Sequence, residues 1–149
     1  MADVIALDYQ VKGASFVYNS KRTRALETQD QIAAWIGSLS ANAIVVTELG
    51  GATDGPILTL ASRGIEVHYA PTASVSKARE EYKFKGRKRD AEVLYKMFND
   101  AEWRVLFRKH QSVGEAILRL AELYSTYTSL IAARVALQNS ITAIYIMDW

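Results

Sequence analysis

Two short apolar runs that each end in an acidic residue constrain this chain more than any other feature. The first is Val-Ile-Ala-Leu-Asp, which ends at Asp8, and the second is Ala-Ile-Val-Val-Thr-Glu, which ends at Glu48. Such runs are typical of strands that are buried on both faces of a sheet. A carboxylate at the end of such a strand does not help a core. The sequence therefore predicts an α/β domain with two acids at the carboxyl ends of its strands, where ligand sites of open sheets lie.

The segments around these two runs predict the order of the remaining elements. Residues 14–18 and 22–28 favour two further strands that form an antiparallel meander with the first. Thr28, with Gln31 three residues later, is typical of a helix start. A helix through Ile57 and a strand over 65–69 follow Glu48. The predicted order is β-β-β-α-β-α-β, then a basic segment, then helices, which is the ribonuclease H-like order of a mixed sheet with flanking helices.

The basic segment runs from residue 77 to 90 and carries seven Lys or Arg against three acids, a local net charge of +4 in a chain whose net charge is +2. Its basic residues are Lys77, Arg79, Lys83, Lys85, Arg87, Lys88 and Arg89. A concentrated basic segment suits a phosphate-backbone partner, but a solvated, flexible loop would have the same composition. Tyr82 and Phe84 interleave with the charges, so they either stack on unpaired bases or pack the segment onto the domain.

The acidic residues are candidates for a divalent-metal site. Mg²⁺ and Mn²⁺ prefer oxygen ligands, and two-metal phosphoryl transfer needs carboxylates that converge on ions about 3.5–4 Å apart. Asp8 and Glu48 are the first two candidates, and Asp90, which opens a helix after the basic segment, is the third. The alternatives are that the strand-end acids face water and that Asp90 is a helix N-cap or a favourable charge at a helix N-terminus.

The C-terminal third is predicted to be helical, with a division between residues 1–100 and 101–149. Apolar residues recur there by four and three and form a heptad seam with one basic interruption; the seam is Leu123, Tyr127, Leu130, Arg134, Leu137, Ile141 and Ile144. This pattern indicates either a coiled-coil arm, which would pair copies of the chain, or a helix that packs on the domain. No run approaches the ~20 apolar residues of a membrane helix, the N-terminus is unlike a signal peptide, and no cysteine is present. We therefore expect a cytoplasmic protein with no membrane partner.

Four segments in order resemble the N-terminal part of the DEDD transposases of bacterial and archaeal insertion sequences, the group numbered 110, whose first domain is similar to RuvC-type Holliday-junction resolvases. These segments are IALDYQVKGASFVY, IVVTELGGATDGPILTLASRGIEVHYAP, KGRKRDAEVLYKMF and ARVALQNSITAIY. The resemblance implies that Asp8 is the first acid of the family, Glu48 the second, and Asp90 the last acid of its DRxDA-type motif.

The resemblance fails at one position of that motif, because Arg87 stands where the third acid is expected, and an arginine cannot bind a metal. Either another acid, such as Glu92 or the more remote Asp54, replaces it, or the site binds metal weakly, or the domain is not catalytic.

The resemblance also implies a function and its partners. Family members use Mg²⁺ or Mn²⁺ for phosphoryl transfer on DNA, guided by a structured noncoding RNA, and continue into a domain with a nucleophilic serine. The expectation for these 149 residues, in a prokaryotic cytoplasm at the nucleoid, is therefore binding of nucleic acid and metal without recombination. A non-catalytic nucleic-acid-binding and dimerisation module on the same fold and a stand-alone junction-resolving nuclease are the alternatives.

Overall fold

In a computed structural model of the chain, residues 2–49, 54–86, 89–111 and 115–147 are described. The contacts divide the chain into two compact units, Met1–His110 and Gln111–Trp149. The sequence placed this division after residue 100, whereas the structure joins residues 101–110 to the first unit. These residues contribute a short helix and a strand that pack on that unit.

The first unit is built on one six-stranded mixed sheet in the order β3-β2-β1-β4-β5-β6. Strands β1, β2 and β3 form an antiparallel meander, β4 and β5 run parallel to β1, and β6 is antiparallel to β5. The strands are β1 Val4–Asp8, β2 Ser15–Tyr18, β3 Thr23–Leu26, β4 Ile44–Leu49, β5 Glu66–Pro71 and β6 Arg108–Lys109. The predicted α/β class is confirmed, and so is the predicted order of the first five strands along the chain.

Helices cover both faces of this sheet. Helices α1 (Gln29–Ser38) and α2 (Asp54–Ser62) pack on the face that carries Leu7, Val45 and Val67. The opposite face is covered by α3 (Thr72–Glu81) and α4 (Asp90–Asn99), which bury Ala6, Val46 and Ala70. A short helix, α5 (Ala101–Arg104), follows α4. The domain is therefore a three-layer α/β/α arrangement with one apolar core on each side of the sheet.

The predicted start of α1 is confirmed in atomic detail. Thr28 is the N-cap, and its hydroxyl accepts a hydrogen bond from the backbone N–H of Gln31 at 3.2 Å. The Gln31 side chain in turn accepts from the backbone N–H of Glu27 at 2.6 Å. The arrangement resembles a capping box, except that the Gln31 side chain reaches the N–H of Glu27, the residue before the N-cap, and not that of Thr28.

Two elements were not predicted from the sequence, helix α3 and strand β6. The basic segment had been treated as one stretch between ordered elements, but Lys77 and Arg79 lie on α3. That helix buries only Val75 and Ala78, so its apolar pattern is too sparse to indicate a helix. Strand β6 has two exposed residues, and it exists only through its pairing with β5.

Among the described residues of the second unit, Glu115–Met147 form helix α6. Its 33 residues give a length of about 50 Å, and the apolar residues of the predicted seam are exposed along it. By length and composition alone, Leu120–Met147 could cross a membrane, because an 18-residue window within it has a mean hydropathy of 1.4. The expectation that the chain has no membrane partner stays a prediction. Arg134 lies in the middle of this stretch, where a charge would cost about 2.5–3.5 kcal/mol in a bilayer.

Candidate functional site

The pairing of β1 with β4 brings Asp8 and Glu48 to neighbouring positions. The two strands are parallel, and Leu7 lies opposite Thr47, so the next residue on each strand is an acid. Side chains alternate along a strand, and Ala6 and Val46 point into the core under α3 and α4. Asp8 and Glu48, two residues further along, therefore face the same side of the sheet at its carboxyl end.

Asp90 belongs to the same region, because α4 begins at this residue and packs across β1 and β4. Asp8 is 5% exposed and Asp90 is 6% exposed, and Glu48 is half-buried. Asp90 is not the N-cap of α4, since Arg89 takes that position and makes no side-chain cap. The three acids that the sequence singled out thus meet at one edge of one face, and two of them are buried.

The surroundings of Asp8 keep its carboxylate in place without a cation at hydrogen-bond distance. Gln10 Nε2 donates to Asp8 Oδ1 at 3.0 Å, and the buried hydroxyl of Ser15 accepts from the Gln10 backbone N–H at 2.9 Å. Burial raises the pKa of Asp8 to about 6, and the negative charges of Asp90 and Glu48 act in the same direction, whereas the Gln10 hydrogen bond and the Arg79 charge oppose it. Most molecules still carry an ionised Asp8 at neutral pH.

Asp90, in contrast, is held by a cation. Arg79, in the last turn of α3, donates from Nε to Asp90 Oδ1 at 2.8 Å and from Nη2 to Asp90 Oδ2 at 2.9 Å. Both carboxylate oxygens therefore accept from one guanidinium in a bidentate ion pair. Arg79 had been predicted to contact nucleic acid, and in the structure its guanidinium faces an acid of the site.

The three acids differ in whether a cation pairs with them. Within the described ranges, no three Asp, Glu or His side chains lie close enough to hold one ion together. Asp8 and Glu48 are carboxylates with no ion-pair partner among the described residues, and their mutual repulsion is the condition that a cation relieves.

The residues that were considered as replacements for the third acid do not complete the site. Glu92 pairs with Arg89, at 3.1 Å from Arg89 Nε to Glu92 Oε2. Arg87 itself lies outside the described residues, together with Lys88 and the side chain of Asp54. Asp8, Glu48 and Asp90 therefore lie at the same edge of the sheet, and Glu92 is held in a separate ion pair.

The described part of the basic segment carries exposed cations. Lys77 lies on α3, and Lys83, Lys85 and Arg89 follow on the connection to α4. Helix α3 ends in a Schellman turn, in which Phe84 N–H donates to Arg79 O and Lys83 N–H donates to Glu80 O, both at 3.1 Å. Lys83 adopts φ +58 there, a left-handed conformation that is unusual for lysine. The segment is thus ordered on both sides of residues 87–88.

The two aromatic residues of the segment pack onto the domain. Tyr82 and Phe84 are half-buried beside the α4 core, and the Tyr82 hydroxyl donates to Asp100 Oδ2 at 2.9 Å. Burial, then this hydrogen bond, raises the pKa of Tyr82. Arg89 Cζ lies 4.0 Å from the Phe84 ring centroid and Lys96 Nζ lies 4.4 Å from that of Tyr82. Of the two roles considered for these rings, packing of the segment is the one observed.

Two residues of this region were missed by sequence reasoning, Gln10 and Lys96. Gln10, in the loop after β1, orients Asp8 through its hydrogen bond. Lys96, in the middle of α4, is an exposed cation that lies over the Tyr82 ring of the basic segment. Neither residue stands in a distinctive pattern: a polar residue after a strand and a lysine on a helix are both common. Only the folded structure reveals that Gln10 contacts Asp8 and that Lys96 lies over the Tyr82 ring.

Comparison of the sequence with protein-family models and with curated proteins gives no match.

Proposed function

We propose that the first unit is a ribonuclease H-like nucleic-acid-processing domain of the transposase type. It would bind DNA, with a structured RNA as guide, and would support metal-dependent phosphoryl transfer. Recombination would need a separate serine-bearing domain. One observation carries the proposal: the order β3-β2-β1-β4-β5 sets Asp8, Glu48 and Asp90 at one edge of one face. The resemblance to insertion-sequence transposases, in which the same three positions are acids, supports it.

The role proposed for each residue follows from its contacts. Asp8 and Glu48 are the carboxylates that would bind Mg²⁺ or Mn²⁺, and Gln10 orients Asp8 through its 3.0 Å hydrogen bond. A metal bound there would supply Lewis-acid polarisation of a phosphoryl oxygen. Burial of Asp8 and Asp90 limits access of water and keeps their electrostatic interactions strong. Arg79 holds Asp90 in one orientation at the start of α4.

The exposed basic residues would contact the phosphate backbone. If Lys83, Lys85 and Arg89 make three such contacts, the affinity for nucleic acid should fall roughly 20- to 40-fold between 50 and 200 mM salt, because each contact releases counterions. Fluorescence anisotropy of a labelled branched DNA and a labelled structured RNA would measure this slope. A triple substitution of these residues by glutamine should reduce the dependence of affinity on salt, whereas Lys21→Gln, in the β2–β3 turn, should leave it unchanged. Binding that is insensitive to salt, or absent at low salt, would contradict the proposal.

A second candidate function, a non-catalytic binding module on the same fold, is favoured by the Arg79–Asp90 ion pair and by Arg87 in the third-acid position. Calorimetry with Mn²⁺ separates the two candidates. If the domain is metal-dependent, the wild-type chain binds Mn²⁺ and Asp8→Asn abolishes the binding, while Asp3→Asn, an exposed acid beside the same strand, leaves it unchanged. Absence of binding in all three proteins would favour the non-catalytic module.

Helix α6 would pair copies of the chain in a homodimer or higher oligomer. Its apolar residues are exposed along the predicted seam and on flanking positions such as Tyr124 and Ile131. An apolar stripe of this width is typical of a helix that packs against other helices. A dimer or larger assembly suits a protein that bridges two DNA ends.

If α6 pairs copies of the chain, the oligomeric state should depend on the residues of the seam. We expect the wild-type chain to sediment as a dimer or larger species. Leu130→Glu, in the seam, should shift it towards the monomer, since a buried charge without a partner is costly. Thr128→Glu, an exposed position outside the seam, should leave the mass unchanged. Recovery of the wild-type chain with lipid vesicles, in place of a soluble oligomer, would instead indicate a membrane helix.

A further inference from the structure

The face of the sheet that α1 covers carries a small cavity beside β3, the outer strand of the sheet. Its floor is apolar and its rim is polar. The cavity has a volume of about 90 Å³ and is lined by Ile5, Val17, Asn19, Arg22, Arg24 and Trp35. The three acids of the candidate site belong to the opposite face, and no residue of the basic segment lines this cavity.

The register of the antiparallel strands turns Arg24 to this face. Arg24 lies opposite Val17 on β2, and Val17 lies opposite Leu7 on β1. Residues directly opposite each other on neighbouring strands share a face of the sheet, and both Val17 and Leu7 belong to the core that also buries Trp35. The Arg24 side chain therefore leaves the outer strand on the α1 face. Arg22, two residues earlier, lines the same cavity.

The polar groups at the rim of this cavity are hydrogen-bond donors. Arg22 and Arg24 are exposed, and neither forms an ion pair with a described residue. Asn19 Oδ1 accepts from the backbone N–H groups of Lys21 and Arg22, both at 3.3 Å. The turn thus uses the acceptor of the Asn19 amide and leaves its two N–H groups as donors. Two guanidiniums that share one small cavity repel each other, and an anion between them would relieve this repulsion.

A phosphate monoester matches this rim in charge, shape and size. At neutral pH it carries a charge close to −2 and three strong acceptor oxygens, opposite two guanidiniums whose planar forks bind such oxygens in pairs. The volume of 90 Å³ is about three times the ~30 Å³ that one water occupies in the liquid, which leaves room for one phosphate group. A backbone diester offers only one charge and two free oxygens, so it matches less well.

We propose that Arg22, Arg24 and the Asn19 amide form a binding site for a phosphate monoester, either free phosphate or the terminal phosphate of a nucleic-acid strand. The inference is independent of the proposed function, because the site shares no residue with the three acids or with the basic segment. Charged residues on an outer strand also protect it from pairing with another chain. Protection of the strand needs only charge, whereas the proposed site needs these two guanidiniums.

Calorimetry of the full chain with inorganic phosphate, at constant ionic strength set with chloride, tests the inference. We expect one phosphate to bind, with shifts of the Arg22 and Arg24 Nε–H signals in ¹H–¹⁵N spectra. Arg22→Gln and Arg24→Gln should each weaken binding by about tenfold or more, because each removes hydrogen bonds to a charged group. Arg24→Lys keeps the charge but loses the fork, so it should restore only part of the affinity. Lys21→Gln, in the same turn but outside the cavity, should change it by less than about twofold.

A trinucleotide with a 5′-phosphate, compared with the same trinucleotide ending in a 5′-hydroxyl, distinguishes the two sources of the phosphate. Tighter binding of the phosphorylated form, lost in Arg24→Gln, assigns the site to a nucleic-acid end. Equal binding of both forms, with inorganic phosphate still bound through Arg24, assigns it to free phosphate. The inference is overturned if the wild type binds neither inorganic phosphate nor the terminal phosphate. It is also overturned if binding persists when Arg22 and Arg24 are both replaced by glutamine. Neither result bears on the salt dependence that tests the basic segment.

Discussion

Replacing Arg79 by methionine should lower the free energy of unfolding by about 3 kcal/mol, because the Asp90 carboxylate would stay buried without its cation. The pair joins α3 to α4, so its loss also weakens the contact between two helices that cover one core. Urea unfolding followed by circular dichroism gives the free energy and its dependence on denaturant. The estimate is the lower end of the range for buried pairs, since a third of the Arg79 side chain remains exposed.

Two further variants test whether the burial of Asp90 is the reason that Arg79→Met loses stability. Arg79→Met combined with Asp90→Leu removes both charges and should recover most of the lost stability, because an apolar pair can replace a buried ion pair at little cost. Arg89→Met breaks the exposed pair with Glu92, whose partners are 47% and 28% exposed, and should cost at most about 1 kcal/mol. Equal losses from Arg79→Met and Arg89→Met would contradict the assignment of Arg79 to a buried contact.

The central sheet was predictable because its strands carry local signals. The runs that end at Asp8 and Glu48 are apolar without alternation, and the order of elements restricts how they can pair. Once β1 and β4 are parallel neighbours, the register of Leu7 with Thr47 makes the two acids adjacent. The cap at Thr28 was predictable for the same reason, since its hydrogen bonds join residues at most four apart along the chain.

The elements and contacts that escaped prediction depend on packing. Helix α3 is anchored by Val75 and Ala78 alone, so composition favoured a basic loop. The contact between Arg79 and Asp90 spans eleven residues and depends on the angle at which α3 meets α4. No local pattern distinguishes an arginine that faces a carboxylate from one that faces solvent. The sequence thus singled out the three acids at this edge of the sheet but not the cation that pairs with one of them.

Replacing Asp8 should change the free energy of unfolding by a similar amount, but should raise it. Burial raises the pKa of Asp8 to about 6 in the folded chain, from 3.8 in the unfolded chain. Below pH 3.8 the carboxyl is protonated in both states. Between these values the folded state keeps a proton that the unfolded state releases, so stability falls as pH rises. Above pH 6 the ionised Asp8 lowers the free energy of unfolding by its full amount, about 3 kcal/mol for a pKa shift of this size. Asp8→Asn should remove this loss of stability.

Urea unfolding of the wild type and Asp8→Asn in metal-free buffer should therefore give nearly equal stabilities at pH 4 and curves that separate through pH 6. By pH 7 the variant should be the more stable by about 3 kcal/mol. Asp3→Asn, at an exposed position, should shift stability by less than about 0.5 kcal/mol at either pH. Curves for Asp8→Asn that stay parallel to the wild type would mean that the carboxylate is not destabilised. If the curves separate, Mn²⁺ should raise the free energy of unfolding of the wild type and leave that of Asp8→Asn unchanged. The reason is that the Asp8 carboxylate, which burial destabilises, is the group that a cation would bind.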